Sequence, residues 1–480
     1  MSIPFTDASG TTPHEAALRF LHDRVDYERW MSLPYDVREL KLERMRELLD
    51  RLGNPQQGLP IVHIAGTKGK GSTAAMIGAV LAAAGYKTGL FTSPHVDRVE
   101  ERMAVNGEAC SSADLVELVA RIRPVVEAMD RQIAARQATA SGPTYFEITT
   151  AMALLHFIQQ GCKAAVLEVG MGGRLDSTNV CRPEVAVITS ISLDHMKQLG
   201  STLEAIAGEK AGIIKPGVPV VSGVTAPEPQ KVIRQVCQER GSRLVELGLD
   251  FDFSYQPPHR LESAAALGMM NFSYKVPGRE HAYEALPLRL LGRHQAANAA
   301  VTLAVLAELK HRGWAIPEQA VRTGLAGVEW PVRVEILSRR PTIVVDAAHN
   351  RASIDALVQV LDESFSPRRR LLVFATTQEK DLRGMLDRLA GRFDQVILTR
   401  YVSNPRGVPP EELAALLEST GQRYQVCPDP AAAWSEVLRL ATPEDLVCIT
   451  GSFFIAAEIR HQIRARPFGT KDLSGNDLEN

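Results

Sequence analysis

Short apolar runs alternate with helix-favouring segments along most of the chain. The runs are five or six residues long and are bounded mainly by Gly, Ser or Asp. Continuous apolar strands of this kind are typical of parallel sheets that are buried on both faces. A first series of predicted strands comprises Ile61–Ala65, Thr88–Thr92, Ala164–Val169, Val185–Ser190 and Val218–Ser222, and a second series comprises Thr342–Asp346, Leu371–Ala375, Gln395–Thr399 and Leu446–Thr450.

Helical segments lie between these runs. Ala74–Ala84, Phe146–Gln159 and Ala296–Leu309 are rich in Ala, Leu and Met, which favour helix. Strands that alternate with helices indicate βαβ units, so we predict an α/β protein. The stretch Gly248–Glu284 differs because it is rich in aromatic and polar residues, and we predict a small antiparallel excursion or a loop there.

The length of the chain predicts two domains. Its 480 residues are too many for a single core. The helical pattern ends around Gly324–Pro331, where the second strand series begins. We therefore predict an N-terminal domain at 1–327 with a mostly parallel sheet and a smaller, Rossmann-like α/β domain at 328–465. The polar tail at 466–480 is expected to be disordered.

Composition and charge exclude several classes of protein. The net charge is −2, and no long Lys/Arg-rich run suggests binding to nucleic acid. The longest stretch of small apolar residues, Ala74–Gly85, has 12 residues, well short of the roughly 20 that span a bilayer. The six cysteines form no CxxC pair, and Met1–Thr12 has no signal-peptide pattern. We expect reduced thiols and a cytoplasmic location.

The strongest single motif is the segment Ile61–Thr73, in which an apolar strand enters a glycine-rich turn and then an Ala-rich helix. Glycines let backbone N–H groups surround phosphate oxygens, and the helix N-terminus adds the positive end of its dipole. Lys70 would reach the β- and γ-phosphates, and Ser72 or Thr73 would lie near Mg²⁺. The standard phosphate-loop pattern is not met, because Ile64 and Gly71 stand where it requires Gly and Ser/Thr. A glycine-rich turn without a ligand is the alternative interpretation.

Many motifs in one order resemble the folylpolyglutamate synthase/dihydrofolate synthase family of the Mur-ligase superfamily. The loop Gly66–Thr73 looks like the phosphate loop of that family, and the resemblance covers roughly residues 15–460. The other motifs that carry it are Leu42–Arg44, Leu52–Pro55, Thr92–His95, Glu168–Asn179, Leu193–His195, Glu209–Gly217, Gly292–Ala299, Trp330–Arg333, Asp346–Asn350, Lys380–Asp381 and Thr450–Ser452.

The resemblance implies an ATP-dependent carboxylate–amine ligase. An ATP-binding, Mur-ligase-like central domain would occupy 1–327, and a glutamate-ligase domain would occupy 328–465. The enzyme would add L-glutamate to the carboxylate of a folate or a dihydropteroate through an acyl-phosphate intermediate. Its partners would be these small-molecule substrates, and it would act as a monomer. The sequence leaves open which acceptor is used.

Some positions depart from the family pattern. Lys68 stands where many members carry Asn, and Val332 replaces a usual Gly before Arg333. Ala347 and Arg351 replace a usual Gly and Pro. The segment Val37–Leu40, where some bifunctional members bind the pterin, matches poorly, which weakens the case for dihydropteroate more than the case for ligase chemistry.

Three residues at predicted strand ends are candidate magnesium ligands. Ser93, Glu168 and His195 each lie at or just beyond an apolar run, and the carboxyl ends of parallel strands share one ligand crevice. The resemblance implies that they bind Mg²⁺ together with Ser72, with two ions in the site. Individually, Ser93 could cap a turn, Glu168 could pair with Arg174, and His195 could be a core histidine.

Further roles come from the resemblance alone. It implies that Lys70, Lys210, His195 and His349 are catalytic and that Lys210 is carbamylated. On the residues alone, Lys210 is simply a lysine at a helix end, and Phe146 could equally belong to the core. The ATP-binding set is Gly66, Thr67, Lys68, Gly69, Lys70, Gly71, Ser72, Asn298, Arg333 and Asp346, and the substrate-binding set is Thr144, Tyr145, Phe146, Leu175, Asp176, Ser177 and Ser452.

Other functions remain as alternatives. A peptidoglycan-precursor Mur ligase usually carries a separate substrate domain before the phosphate loop, and only about 60 residues precede the loop here. A phosphate-loop kinase or GTPase would explain Lys70 and Ser72 but would leave Glu168 and His195 without a role. A nucleotide-binding regulator without catalysis would not need Lys70, Glu168, His195 and Lys210 together.

Overall fold

The computed structural model describes residues 11–26, 42–135 and 142–465. The segment at 37–40 and the tail at 466–480, for which the sequence makes predictions, lie outside the described residues. Contacts divide the chain into two compact units, each with its own sheet. The first contains the described residues up to Ser254 together with Met270–Leu286 and Ala297–Val328, and the second contains Tyr255–Met269, Pro287–Ala296 and the described residues from Glu329 onward.

A seven-stranded sheet forms the centre of the first unit. Its strand order is β3-β2-β4-β1-β5-β6-β7, and all neighbours are parallel except β3, which is antiparallel to β2. Every residue of β1 and β4 is buried, as their continuous apolar sequences predict. The strands are β1 (Ile61–Ala65), β2 (Thr88–Phe91), β3 (Met103–Val105), β4 (Ala164–Glu168), β5 (Val185–Ile188), β6 (Val220–Ser222) and β7 (Leu244–Glu246).

Helices surround this sheet. α3 and α5 are apolar on nearly all sides and are largely buried, whereas α2 and α8 are amphipathic and bury one face. Two short 3₁₀ helices cover Val99–Arg102 and Ser177–Val180. The α-helices are α1 (Pro13–His22), α2 (Leu42–Arg51), α3 (Lys70–Ala83), α4 (Ser112–Ala135), α5 (Tyr145–Gln159), α6 (Met196–Leu199), α7 (Leu203–Ala211) and α8 (Pro227–Glu239).

The aromatic and polar stretch after β7 forms a separate three-stranded sheet with the order β10-β9-β8. β9 shows the alternation of buried and less buried residues that is typical of a sheet with one covered face. The elements are β8 (Phe251–Gln256), β9 (Gly268–Tyr274) and β10 (His281–Leu288), followed by α9 (Arg293–His311) and α10 (Glu318–Gly327).

The second unit contains a six-stranded sheet with the order β11-β12-β16-β13-β14-β15. β11 is antiparallel to β12, and the remaining neighbours are parallel. The strands are β11 (Glu335–Arg339), β12 (Thr342–Val345), β13 (Arg370–Phe374), β14 (Gln395–Leu398), β15 (Tyr424–Val426) and β16 (Leu446–Thr450), and the helices are α11 (Arg351–Ser364), α12 (Leu382–Leu389), α13 (Pro410–Glu418), α14 (Pro430–Leu440) and α15 (Phe453–Ala465).

The predicted α/β fold with two mostly parallel sheets is confirmed. Several predicted strands extend one or two residues too far, because their last residues leave the ladder and enter the loops that follow. All six cysteines are buried and unpaired. Within 11–26, 42–135 and 142–465, no helix combines the length and apolarity that crossing a membrane would require.

Candidate active site

The turn between β1 and α3 requires glycine at two positions. Gly66 has φ +154°, and a Cβ atom there would lie 1.9 Å from Oγ1 of Thr189. Gly69 has φ +84°, and a Cβ atom there would lie 2.3 Å from Oδ1 of Asn298. The turn therefore carries no side-chain bulk at these points, and it leads directly into the N-terminus of α3, which favours an anion such as phosphate.

The loop after β5 fixes the conformation of this turn. The hydroxyl groups of Thr189 and Ser190 donate to the Lys68 carbonyl oxygen at 2.7 and 3.0 Å. The Lys68 N–H donates to the Ser190 hydroxyl at 3.0 Å, and the Thr67 N–H donates to the Ser190 carbonyl at 2.7 Å. Sequence reasoning did not single out Thr189 and Ser190, although the two hydroxyl residues at the end of an apolar run are the signal that could have revealed them.

Lys70, Ser93 and Glu168 meet at the carboxyl edge of the first sheet. They lie at the ends of β1, β2 and β4, which are neighbours in the order β2-β4-β1. The Ser93 N–H donates to Oε2 of Glu168 at 3.2 Å, and Nζ of Lys70 lies 3.9 Å from Oε1 of Glu168. The Glu168 side chain is only 5% exposed, so its charge needs a nearby cation. Arg174, the partner considered from sequence, forms an ion pair with Glu209.

His195 shares this sheet edge, in the loop after β5. It has the left-handed conformation, with φ +50°, and its Nε2 lies 4.0 Å from Oδ1 of Asp194. Asp194 also binds Nζ of Lys68 at 2.9 Å, which links this loop to the glycine-rich turn. Asp194 belongs to the Leu193–His195 motif, but sequence reasoning assigned it no role. Direct contacts thus join Lys70, Ser93 and Glu168, and His195 lies along the same rim.

The donor atoms at this edge fit a magnesium ion. Ser93 and Glu168 offer hard oxygen ligands, and Ser72 adds a buried hydroxyl from the first turn of α3. Nζ of Lys70 lies 3.9 Å from Oε1 of Glu168, an ion pair that is longer than a hydrogen bond. A carboxylate and serine hydroxyl groups from neighbouring segments are the types of ligand that a hard divalent cation prefers.

Lys210 lies beneath the glycine-rich turn. It belongs to the last turn of α7, is 4% exposed, and donates from Nζ to the Gly66 carbonyl oxygen at 2.9 Å. Burial, together with the positive charge of Lys70, lowers the pKa of Lys210 to about 7, while the charge of Asp194 opposes this shift. Near neutral pH this amine is therefore partly unprotonated, which makes it nucleophilic.

Asn298 lies against the phosphate-loop turn. It belongs to α9, and its amide group stands over Gly69, where a Cβ atom would meet Oδ1, Cγ and Nδ2 at 2.3, 3.0 and 3.2 Å. The family resemblance predicts Asn298 as an ATP-binding residue. The structure brings its side chain to the turn, and its contact with nucleotide stays a prediction.

Of the three predicted substrate residues at the start of α5, two are largely inaccessible. The Thr144 hydroxyl accepts from the Glu147 N–H at 3.3 Å and caps the helix, and Tyr145 is 2% exposed beneath the Arg102 guanidinium. Phe146 is partly exposed and lies against Gly170, where a Cβ atom would meet its ring at 2.6 Å. Because Gly170 lies in the loop that follows β4, Phe146 faces the carboxyl edge of the sheet.

Asp176 and Ser177 are also buried. Oδ1 of Asp176 accepts from the Thr178 N–H at 3.0 Å, and Oδ2 accepts from the Met171 N–H at 3.0 Å. Burial raises the pKa of Asp176, while these hydrogen bonds oppose the rise. Leu175 beside them is partly exposed. Asp176 therefore organises the loop after β4, and the substrate contacts expected of all three residues stay predictions.

In the second unit, Arg333 and Asp346 are electrostatically coupled. Asp346 is 7% exposed and accepts from the N–H groups of Val334 and Ala348 at 2.9 and 2.8 Å. Burial raises the pKa of Asp346, and the Arg333 charge opposes the rise. Val332 keeps a left-handed φ of +53°, a conformation that the glycine usual in the family would adopt without strain.

His349 and Ser452 follow the neighbouring parallel strands β12 and β16. Nδ1 of His349 donates to the Ala347 carbonyl oxygen at 2.8 Å, so Nε2 is the acceptor of the neutral ring. Ser452 is 2% exposed, and its hydroxyl accepts from the Ile455 N–H at 3.2 Å at the start of α15. Both residues therefore lie at the carboxyl edge of the second sheet, with Ser452 engaged in capping the helix.

Two family matches cover most of the chain. Residues 64–306 match the Mur ligase middle domain, and residues 332–453 match the Mur ligase glutamate ligase domain. The dihydrofolate synthase/folylpolyglutamate synthase of Bacillus subtilis is 36% identical over 88% of this chain and 95% of its own length. The folylpolyglutamate synthase of Lacticaseibacillus casei is also 36% identical, over 88% of this chain and 94% of its own length.

Solved structures agree with these matches. A Mycobacterium tuberculosis folylpolyglutamate synthase complexed with ADP superposes with a TM-score of 0.81, at 31% identity, over 96% of this chain and 99% of the other. Escherichia coli FolC in complex with DHPP and ADP gives a TM-score of 0.78, at 32% identity, over 95% of this chain and 99% of the other. This chain belongs to the folylpolyglutamate synthase/dihydrofolate synthase family and carries the middle and glutamate-ligase domains of the Mur ligases.

Proposed function

We propose that the protein joins L-glutamate to the carboxylate of a folate or a dihydropteroate, with ATP as the energy source and an acyl-phosphate as intermediate. The observation that carries the proposal is the glycine-rich turn with Lys70 beside Glu168 at the edge of a parallel sheet, in a chain of this family. The names of the relatives supply the acceptor and the amino acid, and the ADP-bound structures of relatives supply the nucleotide.

The phosphate chain of ATP would occupy the turn. The backbone of Gly66, Gly69 and Gly71 would give it space and N–H donors, and the Lys70 ammonium lies close enough to the sheet edge to neutralise the γ-phosphate. Thr67 and Lys68 would line the phosphate chain, while their N–H groups donate to Ser190 and hold the turn. Lys68 is tied to Asp194 and so shapes the turn.

Ser72, Ser93, Glu168 and His195 would hold magnesium, with two ions in the site. When bound, the metal neutralises negative charge on the transferring phosphoryl group. Glu168 orients the site because it accepts from the Ser93 N–H, and this fixes the serine at the end of β2 relative to β4. The buried, hydrogen-bonded strands would hold these donors in place before ATP arrives.

The chemistry then takes two steps. A carboxylate oxygen of the acceptor attacks the γ-phosphorus, and the bond to the β-γ bridging oxygen breaks as ADP leaves. The unprotonated amine of L-glutamate attacks the acyl carbon, and inorganic phosphate leaves with the former carboxylate oxygen. The amine loses a proton to solvent or to a nearby base. Holding the reactants in register supplies much of the rate enhancement.

Lys210 would act as a carbamate. The unprotonated, neutral amine adds to carbon dioxide and releases one proton, which leaves an anionic carbamate beside the turn. The depressed pKa of Lys210 and its place under Gly66 support this role. Loss of activity in Lys210→Ala, with recovery on addition of a short carboxylic acid, would support it; a fully active Lys210→Ala would exclude it.

The remaining residues would bind the organic groups. Asn298 lies at the turn and would contact the nucleotide, as would Arg333 and Asp346 of the second unit. His349 presents Nε2 as an acceptor, which suits the ammonium of L-glutamate, and the Ser452 helix start would orient it. Phe146 would lie against the flat pterin, while Thr144, Tyr145, Leu175, Asp176 and Ser177 would shape that region.

Folate-type relatives favour this reaction over a peptidoglycan-precursor ligase. We expect the protein to act as a monomer. Six buried, unpaired thiols suit the reducing cytoplasm, where we place the reaction.

A phosphate-release assay tests the proposal. Purified protein with ATP and Mg²⁺ is offered dihydropteroate or tetrahydrofolate, each with and without L-glutamate. We expect release that requires both an acceptor and L-glutamate, together with an amide product of matching amount. Phosphate release that depends neither on an acceptor nor on L-glutamate would indicate a different nucleotide-hydrolysing function. Lys70→Ala serves as the inactive control, because it removes the phosphate-binding charge from the partly exposed start of α3.

A further inference from the structure

A cluster of three potential metal ligands lies outside the proposed catalytic site. Cys110, Asp114 and His156 each offer one ligand atom, and these atoms all lie within 4.8 Å of one another. Cys110 precedes α4, Asp114 lies in the first turn of α4, and His156 lies in the last turn of α5. We propose that these residues form a binding site for a divalent transition-metal ion of the zinc type. The proposal does not depend on the ligase activity.

His156 supplies a second observation, which is independent of the distances between the three ligand atoms. His156 is 3% exposed, and its Nδ1 is buried without a hydrogen-bond partner among the described residues. A buried polar atom of this kind is unfavourable unless a water or an ion satisfies it. An imidazole nitrogen is a common ligand of transition-metal ions. The unsatisfied Nδ1 of His156 therefore points to a bound ligand.

The backbone holds the other two ligands in place. The Cys110 N–H donates to the Met103 carbonyl oxygen at 3.1 Å. The Ser111 hydroxyl accepts from the Asp114 N–H at 3.0 Å and donates to its Oδ2 at 2.6 Å. The thiol and the carboxylate thus sit on either side of a capped helix start. A site whose ligands are positioned in advance loses little conformational entropy on binding.

Local charge favours a cation at this cluster. The carboxylates of Asp114 and Glu100 add to burial in raising the pKa of the Cys110 thiol to about 12, because both disfavour a further negative charge. The same field attracts a divalent cation, although the Lys87 ammonium opposes it near His156. On binding, the metal replaces the thiol proton, which passes to solvent, and Cys110 becomes a thiolate ligand.

The set of donors selects the metal. One sulfur, one imidazole nitrogen and one carboxylate oxygen suit Zn²⁺ or Co²⁺, whereas Mg²⁺ prefers oxygen and binds thiolates poorly. Metal–ligand bonds of about 2.0–2.3 Å place tetrahedral ligands roughly 3.3–3.8 Å apart. Ligand atoms within 4.8 Å reach this spacing through movements of about 1 Å. The partial exposure of Asp114 leaves room for water as a fourth ligand.

Cobalt titration tests the site directly. Co²⁺ is added to the purified full chain with excess Mg²⁺, and the thiolate-to-cobalt charge-transfer absorption is recorded. Oxygen and nitrogen ligands alone give no such band, so cobalt at the magnesium site does not contribute. We expect a band that saturates at one equivalent, disappears in Cys110→Ser, and persists in Cys237→Ser. Cys237 is a matched control because it is equally buried and its thiol pKa is likewise raised to about 12.

Asp114→Asn keeps the proposal testable if Cys110→Ser does not fold. The change conserves volume at a partly exposed position and leaves the Ser111 cap to the Asp114 N–H intact. We expect the apparent Kd for Co²⁺ to rise at least tenfold, with an unchanged circular dichroism spectrum. The absence of a band in the wild-type protein at saturating Co²⁺, or an unchanged Kd in a folded Asp114→Asn protein, would overturn the proposal.

Discussion

Replacing Gly69 with alanine separates the role of the turn from its contribution to stability. At φ +84° an alanine is strained by roughly 1–2 kcal/mol. Its Cβ would also lie 2.3 Å from Oδ1 of Asn298, so the asparagine must swing away or the turn must shift. A displacement of about 1 Å in a reactant's position can lower the rate about 100-fold. We therefore expect kcat/KM for ATP to fall by about two orders of magnitude.

Gly85 provides the matched control. It follows α3, has φ +89°, and has nothing within 4 Å of the Cβ position. Gly85→Ala should show the same loss of roughly 1–2 kcal/mol in the free energy of unfolding while keeping kcat/KM within about threefold. Denaturant unfolding and steady-state phosphate release measure the two quantities separately.

A double variant tests the cause. If Gly69→Ala acts by displacing Asn298, the double variant Gly69→Ala/Asn298→Ala should have nearly the same kcat/KM for ATP as Asn298→Ala. Any further loss should not exceed the loss expected from the backbone strain alone. An unchanged kcat/KM for ATP in Gly69→Ala, or an equal loss in Gly85→Ala, would refute the placement of phosphate in this turn.

Four further perturbations test other parts of the site and fold. Glu168→Gln should raise the Mg²⁺ concentration for half-maximal phosphate release at least about tenfold, and an unchanged Mg²⁺ profile would contradict its role as a ligand. Arg44→Met should lower the free energy of unfolding by about 3–5 kcal/mol, because Nε of Arg44 lies 2.8 Å from the Glu147 carboxylate, which is 5% exposed and would lose its cationic partner. In denaturant unfolding, the double variant Arg44→Met/Glu147→Met should recover much of this loss. In buffer free of carbon dioxide, where Lys210 carries no carbamate, the unfolded chain binds the Lys210 proton more tightly than the folded chain between pH 7 and about 10.5. The free energy of unfolding should therefore rise with pH by up to about 1.4 kcal/mol per unit in denaturant unfolding, and Lys210→Met should flatten that slope. His349→Ala should raise KM for L-glutamate about tenfold or more while KM for ATP stays within twofold, and the reverse pattern would place His349 elsewhere.

The strands of both sheets could be predicted because parallel strands buried on two faces are continuous apolar runs. Ile61–Ala65 and Leu446–Thr450 were predicted with their observed bounds. The short edge strands Met103–Val105 and Tyr424–Val426 were missed, since three residues carry too little pattern. The helix α4 at Ser112–Ala135 was also missed, because a search for Ala-, Leu- and Met-rich segments does not find an amphipathic helix that is exposed on one face.

The convergence of Lys70, Ser93 and Glu168 followed from sequence because strand ends in a parallel sheet share one edge. The anchors Thr189 and Ser190 were not found, since their hydrogen bonds cross more than a hundred residues of sequence. The burial of Asp176 could not be predicted either, because nothing in the sequence around it indicates that its carboxylate accepts hydrogen bonds within its own loop. The roles of these residues in binding and catalysis stay predictions.

Transfer of oxygen from the acceptor to phosphate is the most direct test of the acyl-phosphate ligase. The acceptor is labelled with heavy oxygen in its reacting carboxylate and incubated with ATP, Mg²⁺ and L-glutamate, and the released phosphate is examined by mass spectrometry. We predict one heavy oxygen atom in each phosphate formed from labelled carboxylate oxygen, in proportion to the amide product. Phosphate whose fourth oxygen comes from water and not from the acceptor, released without dependence on L-glutamate, would contradict the proposed reaction.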